Sequence, residues 1–461
     1  MSEETISRKQ KNKELLGEVQ TSQTLIDAIL DLVPPATYAD PTLKWLDPCC
    51  GDGRFAKSVF IRLFESLSES IPSPAERKRH ILRDMLFMVE INHEHLPELR
   101  SAFGDDANII HADFLSAGLP AVDVVVGNPP FTVAGSVKVP TNTKDNKRGD
   151  GFAVWGVFVR KCISYLSPNG LLAMITPSIW MKRDHNMHNS ILQHDISGLH
   201  AMTNTETNRI FRGQAQTPTC YFLLQKRPST GSKRCRRVGL FDKKLGRVVS
   251  YRYTLDPPVS LPVFAASIAS KLQSFVKKAG PIAVKKTNMP RKGTHLSQTP
   301  DAMHKHVNIR TCILRDRQPV LKLEYSDKLC AFAGQKKLIL AHKMYGFPFL
   351  DEDGKFGISN RDNYVILGPL DRLRRLSDLL STKFAMYLFE STRYRMKYLE
   401  RYAFELMPDV TELDEFPSEI TDKTVANYFK FTAAERNAIQ SFQKKTYFKS
   451  ILPLIKIDTD L

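Results

Sequence analysis

Four short apolar runs, each closing on a residue of distinct chemistry, constrain this chain more than anything else in it. They are Trp45-Leu46-Asp47, Met85-Leu86-Phe87-Met88-Val89-Glu90, Asn108-Ile109-Ile110-His111-Ala112-Asp113-Phe114, and Val122-Asp123-Val124-Val125-Val126-Gly127 running into Asn128-Pro129-Pro130-Phe131. Runs of this length bounded by polar and turn residues read as buried strands. Two more follow, Gly170 to Pro177 and Thr219 to Gln225, with a helical segment over Phe152 to Lys161 before them. Strand and helix therefore alternate from about residue 40 to 225. That alternation predicts an α/β, Rossmann-like doubly wound and mostly parallel sheet with helices on both faces, its ligand at the carboxyl ends of the strands.

The strand ends carry the chemistry. Pro129 and Pro130 have no N–H and fix their own φ, so they stop sheet pairing and make a rigid tip. At such a tip the Asn128 side-chain oxygen and the Pro129 carbonyl can converge as two acceptors, with the face of Phe131 beside them, a geometry suited to an exocyclic amino group. Upstream, Asp47-Pro48-Cys49-Cys50-Gly51-Asp52-Gly53 joins a strand to a helix through a turn with two glycines. Gly51 and Gly53 allow close backbone approach, and the following helix offers free N–H groups. Glu90 ends a strand where a ribose diol would find a bidentate acceptor. Asp113 ends another, next to an aromatic, Phe114, that can flank an adenine ring.

This set resembles the class I S-adenosylmethionine-dependent methyltransferases, and Asn-Pro-Pro-Phe narrows it to the amino-methyltransferases. It is most similar to the gamma-class N6-adenine DNA methyltransferases of restriction-modification systems, including those with a TaqI-like specificity domain. The resemblance implies S-adenosyl-L-methionine as cofactor, held by Thr21, Asp47, Pro48, Gly51, Gly53, Glu90, Ile91, Asp113, Phe114 and Phe158. Thr21 would meet the methionine carboxylate, in the segment Leu16 to Ser22 that stands where the family has its N-terminal motif; this chain has Ser22 where the family usually has Pro. Thr21 or Ser22 also suits the N-cap of a helix over Leu25 to Leu32. The resemblance makes Asn128, Pro129, Pro130 and Phe131 catalytic. It implies a flipped adenine stacked between Phe131 and Phe211, the latter in Ile210-Phe211-Arg212-Gly213.

At 461 residues the chain exceeds one ordinary core, so two domains are expected. Residues 1–228 hold 25 Lys and Arg against 25 Asp and Glu, whereas residues 229–350 hold 24 against 6, so the net charge of +17 resides in the second half. A Pro/Gly/Ser-rich linker over Arg227 to Arg237 marks the expected cut, with a catalytic domain over 1–228 and a basic α+β target-recognition domain over 229–461. Such a charge bias points to a polyanion, here double-stranded DNA, with Lys233, Arg234, Arg236, Arg237, Lys285, Lys286, Arg291 and Lys292 as candidate contacts. Strands are predicted over Lys337 to Phe347 and Asn363 to Leu367 around the turn Asp351 to Lys355, and a helix over Leu379 to Leu388. This succession resembles the family's specificity domains. A separate cognate restriction endonuclease fits the same setting as a partner.

Seven cysteines make no C-x-x-C pair, which predicts neither a zinc site nor a disulfide framework but a reducing, cytoplasmic setting. His185 with His188, and His304 with His306, lack a companion cluster and read as surface histidines, so no metal is expected. No phosphate-loop motif occurs, Met1 to Lys13 is unlike a signal peptide, and no apolar run approaches a membrane span. Two alternatives stay open: a methyltransferase acting on RNA or on protein glutamine, and a catalytically silent DNA-binding homologue.

Overall fold

The structure is a computed structural model that describes residues 19–132, 153–215, 217–227, 235–315, 318–342, 348–394, 399–442 and 456–457. Two compact units divide them; the first takes in the chain to Phe241 together with Val248–Leu261.

The first unit is built on a nine-stranded sheet with the spatial order β3-β2-β1-β4-β5-β7-β6-β8-β9. Its strands are β1 (Trp45–Asp47), β2 (Leu86–Glu90), β3 (Asn108–His111), β4 (Val122–Gly127), β5 (Leu166–Pro177), β6 (Asp195–Met202), β7 (Thr219–Gln225), β8 (Cys235–Asp242) and β9 (Arg247–Thr254). The first five pair in parallel, with Trp45 beside both Leu86 and Val124, while β7 runs antiparallel to β5 and β6. The expected α/β fold, doubly wound around a mostly parallel sheet, is thus present.

Burial explains why these runs are continuous rather than alternating. Val124 and Val126 join a core with Leu25, Ile26 and Ile29 of α1 (Gln23–Leu30) and with Ala56, Val59 and Leu63 of α2 (Arg54–Ser66). The pleat turns Val125 the other way, yet it too is fully buried, so β4 is covered on both faces. The apolar positions of both helices recur three and four residues apart, the spacing of one helical face.

One predicted boundary moves. The linker around Arg227 to Arg237 does not separate the units: from Cys235 the chain re-enters the sheet as β8, where Leu199 of β6 bridges Leu240. The division therefore falls near residue 261 instead of 228. Arg237 is exposed on β8, where a charged side chain is free to stand, so the run shows no apolar strand pattern.

The second unit is α+β. One sheet has the order β10-β17-β14-β15, from Lys285–Lys286, Asn363–Leu367, Lys337–Ala341 and Pro348–Asp351. Another contains β11 (Leu296–Ser297), β13 (Gln318–Ser326), β12 (His306–Arg315) and β16 (Gly357–Ile358) in that order. Against the first sheet packs a core that includes Leu338, Leu340 and Ile366 with Leu373, Leu376 and Leu380 of α7 (Leu370–Leu380) and Phe384 of α8 (Lys383–Ser391). The single helix expected over Leu379 to Leu388 is two, because the Thr382 hydroxyl accepts the Ala385 N–H at 3.1 Å and begins a new helix. The strand at Lys337 ends at Ala341, and residues 343–347 of that expectation lie outside the described residues.

Further helices, in chain order, are α3 (Leu96–Phe103), α4 (Trp155–Tyr165), α5 (Asn204–Ile210) and α6 (Ala266–Ala279).

Candidate active site

A cavity of about 390 Å³ opens at the carboxyl ends of β1 to β4. Its lining takes in Thr21, Pro48, Gly51, Glu90, Ile91, Asp113, Phe114, Phe158 and the whole tip Asn128, Pro129, Pro130 and Phe131, with Phe211. Residues spread over nearly two hundred positions are gathered by one property, the common direction of parallel strands. Asp47 and Gly53 belong to the same turn but do not line the cavity.

Asn128 is the most defined group in it. Its Nδ2 donates to Thr21 Oγ1 at 3.0 Å and to the Val19 carbonyl at 3.4 Å. A carbonyl only accepts, so the amide nitrogen must face that side and Oδ1 the other. Oδ1 is buried and has no hydrogen-bond partner. An unpaired buried acceptor costs about 1–3 kcal/mol, which the fold tolerates where a ligand supplies the donor. Thr21, expected at a carboxylate, is buried and engaged with Asn128 through its oxygen, which leaves its hydroxyl hydrogen to donate elsewhere.

The glycine turn is tied to the acid of the neighbouring strand. Gly51 N–H donates to Glu90 Oε2 at 2.7 Å, and Asn92 N–H to Oε1 at 2.7 Å. The carboxylate expected at a ribose thus also holds the turn. Gly51 has φ +55° with open space where a side chain would stand, whereas Gly53, at φ +81°, starts α2 with its Cα facing Leu99 and Phe103 of α3. Gly53 is accordingly a packing glycine. Asp113 accepts the Leu115 N–H at 2.9 Å through Oδ1, and Ile91, half-exposed, lines the wall nearby. Phe114 and Phe158 pack ring against ring at 5.4 Å, an aromatic wall from two elements. Phe211, at the end of α5, is buried in the core around β4 yet lines the cavity, as does Phe131.

Asp47 lies behind the turn, buried, with Oδ2 unpaired. Burial, with the charges of Glu90 and Asp52 adding to it, pushes its carboxyl up to about 8. A neutral carboxyl accounts for a buried oxygen without a partner better than an ion does.

Several members of the site carried no legible signal. Gln20 Nε2 donates to Asp52 at 3.2 Å, and the Cys49 thiol donates to the Asn128 carbonyl at 3.3 Å, bracing the tip from the glycine turn. Nothing in a Cys-Cys pair announces that contact; only the adjacency of β1 and β4 creates it. His185 and His188 are not surface groups. His188 is fully buried with Nδ1 bonded to the Trp180 carbonyl at 2.9 Å, and His185 stacks on Trp155 at 5.6 Å. Burial and the nearby Lys182 lower His185 to about 4.

The expected DNA contacts fall in both units. Arg236 and Arg237 sit on β8 of the first, Arg236 donating to the Gln193 carbonyl and Arg237 exposed. Lys285, Lys286, Arg291 and Lys292 are exposed in the second, while Lys233 and Arg234 lie outside the described residues. Among the described residues, no helix is long and apolar enough to cross a membrane, and no cluster of three or more His, Cys, Asp or Glu side chains is placed to hold a metal.

Residues 67–211 match the family model described as Eco57I restriction-modification methylase. A stretch of 80 residues is 36% identical to an uncharacterized adenine-specific methylase of Mycoplasma pneumoniae (strain ATCC 29342 / M129 / Subtype 1), covering 17% of this chain. The match spans only about a fifth of that relative's length, 18%. Among solved structures, the type IIL restriction-modification enzyme MmeI in complex with DNA aligns at 10% identity and a TM-score of 0.46, over 86% of this chain and 68% of that one. The type IIG restriction endonuclease BpuSI aligns at 11% and 0.41, over 92% and 65%. The stretch 67–211 is thus similar to Eco57I restriction-modification methylases, and it lies within the doubly wound, mostly parallel sheet of the first unit.

Proposed function

We propose that this chain is a gamma-class DNA methyltransferase that flips a target adenine out of duplex DNA and methylates its N6 amino group. The observation that carries the reading is the Asn128 amide, held by Thr21 and Val19 with a buried, unpaired Oδ1, on a residue that lines the same cavity as the Pro-Pro-Phe tip. The match to restriction-modification methylases and the adenine-specific relative support it.

The cavity residues fit S-adenosylmethionine. A volume of about 390 Å³ lies within the ordinary range for a small-molecule site, about 300–1,000 Å³. Glu90 and Asp113 are acceptors for hydroxyl and amino groups, Phe114 and Phe158 offer an apolar slot for a base, and the open side of Gly51 admits a close approach. When bound, the cofactor supplies an electrophilic methyl group on a sulfonium.

The amino nitrogen of adenine is a weak nucleophile because its lone pair is drawn into the ring. Asn128 Oδ1 and the Pro129 carbonyl accept its two hydrogens, drawing the nitrogen toward tetrahedral geometry and aiming its lone pair. The Thr21 bond keeps that acceptor from rotating, so orientation and fixed dipoles carry the rate enhancement. Phe131 and Phe211 take the flipped base between their faces, offsetting the few kcal/mol that unstacking and unpairing cost. Basic residues of the second unit hold the backbone of the duplex.

The test is transfer of labelled methyl from S-adenosylmethionine to mixed-sequence duplex DNA, with nucleoside analysis of the digest. N6-methyladenine is the expected product. Label on RNA or protein instead, or on nothing despite DNA binding, refutes the proposal.

A further inference from the structure

The second unit carries a basic loop cluster with apolar tips that the transfer chemistry does not use. Residues 285–306 contain five Lys or Arg against a single acid, Asp301, and that acid is engaged by His304 at 2.8 Å. Three segments of this part of the chain are tied together at one end of a sheet. Leu296 pairs with Ser326 on one edge of β13, and His306 pairs with Ser326 on the other. Asp327 Oδ1 accepts the His295 N–H at 2.8 Å, the Asp327 N–H returns a bond to the His295 carbonyl at 3.2 Å, and Lys328 Nζ donates to the Gly293 carbonyl at 2.9 Å.

From these segments project Leu329, 72% exposed, Met303, 63% exposed, and Leu296, 38% exposed. On the same segments Arg291, Lys292, Lys305 and Lys328 are exposed as well. Exposed apolar side chains gain nothing in the folded chain, since burial contributes about 25 cal/mol per Å² only when water leaves. Set among cations, they suit a partner that is anionic at its rim and apolar between. Duplex DNA has that pattern: phosphates along the groove walls, base edges and thymine methyl groups on the floor.

We propose that these three loops read the base edges of duplex DNA, with Met303, Leu329 and Leu296 against thymine methyl groups and Arg291, Lys292, Lys305 and Lys328 at phosphates. This rests on the DNA reading above and assigns it specificity-determining residues. Phosphate contacts position a protein without carrying sequence information, so the two residue sets make separable contributions.

The experiment uses the full chain: wild type, Met303→Ala with Leu329→Ala, and Arg291→Ala with Lys305→Ala. Each is used to select binders from a random duplex pool, its affinity is measured against salt, and its mass is followed by sedimentation. The apolar variant is expected to keep the salt slope and lose several-fold of its enrichment at thymine positions. The cation variant is expected to keep the sequence preference and lose about 0.9 in log–log salt slope per phosphate contact removed. Unchanged selection by the apolar variant overturns the proposal, as does loss of a wild-type dimer in that variant, which makes the tips a contact between copies. Methylation by the wild type is scored separately: N6-methyladenine with unchanged selection refutes the loops alone, while a wild type that binds no duplex refutes the DNA reading as well.

Discussion

At the residue scale the site is organised by Thr21 and Asn128 together. Replacing Thr21 with Val keeps the shape and removes the oxygen that accepts from Asn128 Nδ2, leaving one partner for that group. We expect kcat to fall by roughly 10- to 100-fold, the scale of one buried hydrogen bond at 1–3 kcal/mol, with Thr21→Ser recovering most of it. Cofactor affinity measured by calorimetry separates this positioning effect from a lost ligand contact. Asp47 makes a pH-dependent prediction. Its carboxyl rises from 3.8 to about 8 on folding, so between those values the unfolded chain releases a proton that the folded chain retains. Stability attributable to this group therefore falls as pH rises from about 4 to 8. Asp47→Asn removes the ionisation, and denaturant titrations at pH 5.5 and 8.5 should show the variant gaining on wild type at the higher pH. A wild-type advantage that grows with pH contradicts the assignment of a neutral carboxyl.

At the scale of elements, motif order in the chain was legible and its detailed use was not. The strands ending at Asp47, Glu90 and Gly127 were readable because buried parallel strands are continuous apolar runs, whereas the third, expected to run on to Asp113, stops at His111. The division of labour between the two glycines was not, because it depends on what lies across from each. Gly51 faces open space beside the cavity, while a Cβ on Gly53 would stand 2.8 Å from Leu99 Cδ2 and 3.0 Å from Phe103 Cε2. Gly53→Ala should accordingly cost about 1–3 kcal/mol, seen as a lower denaturant midpoint. Gly51→Ala should show its larger effect in weakened cofactor binding. Equal stability losses in the two variants contradict this division. The histidines went the other way: lone polar residues near a helix read as surface groups, yet His188 is buried because the Trp180 carbonyl accounts for one of its nitrogens.

For the whole molecule, charge is the property that sequence reports best, since it needs no geometry. The excess of 24 cations over 6 acids in residues 229–350 predicts that binding to duplex DNA weakens steeply with salt. A log–log slope of about −0.9 per phosphate is expected, and a flat dependence rules out a phosphate footprint. Charge misplaces the boundary, however, because Arg236 and Arg237 belong to a strand of the first unit.

The sequence by itself determined the strand series, the Asn-Pro-Pro-Phe tip and the charge of the second half, all set by local patterns of burial, backbone restriction and ionisation. Tertiary structure alone decided that Thr21 orients Asn128, that Cys49 braces the tip and that burial pushes the Asp47 carboxyl up. Those outcomes depend on contacts between residues up to 107 positions apart, and on the exclusion of water that only the closed fold provides.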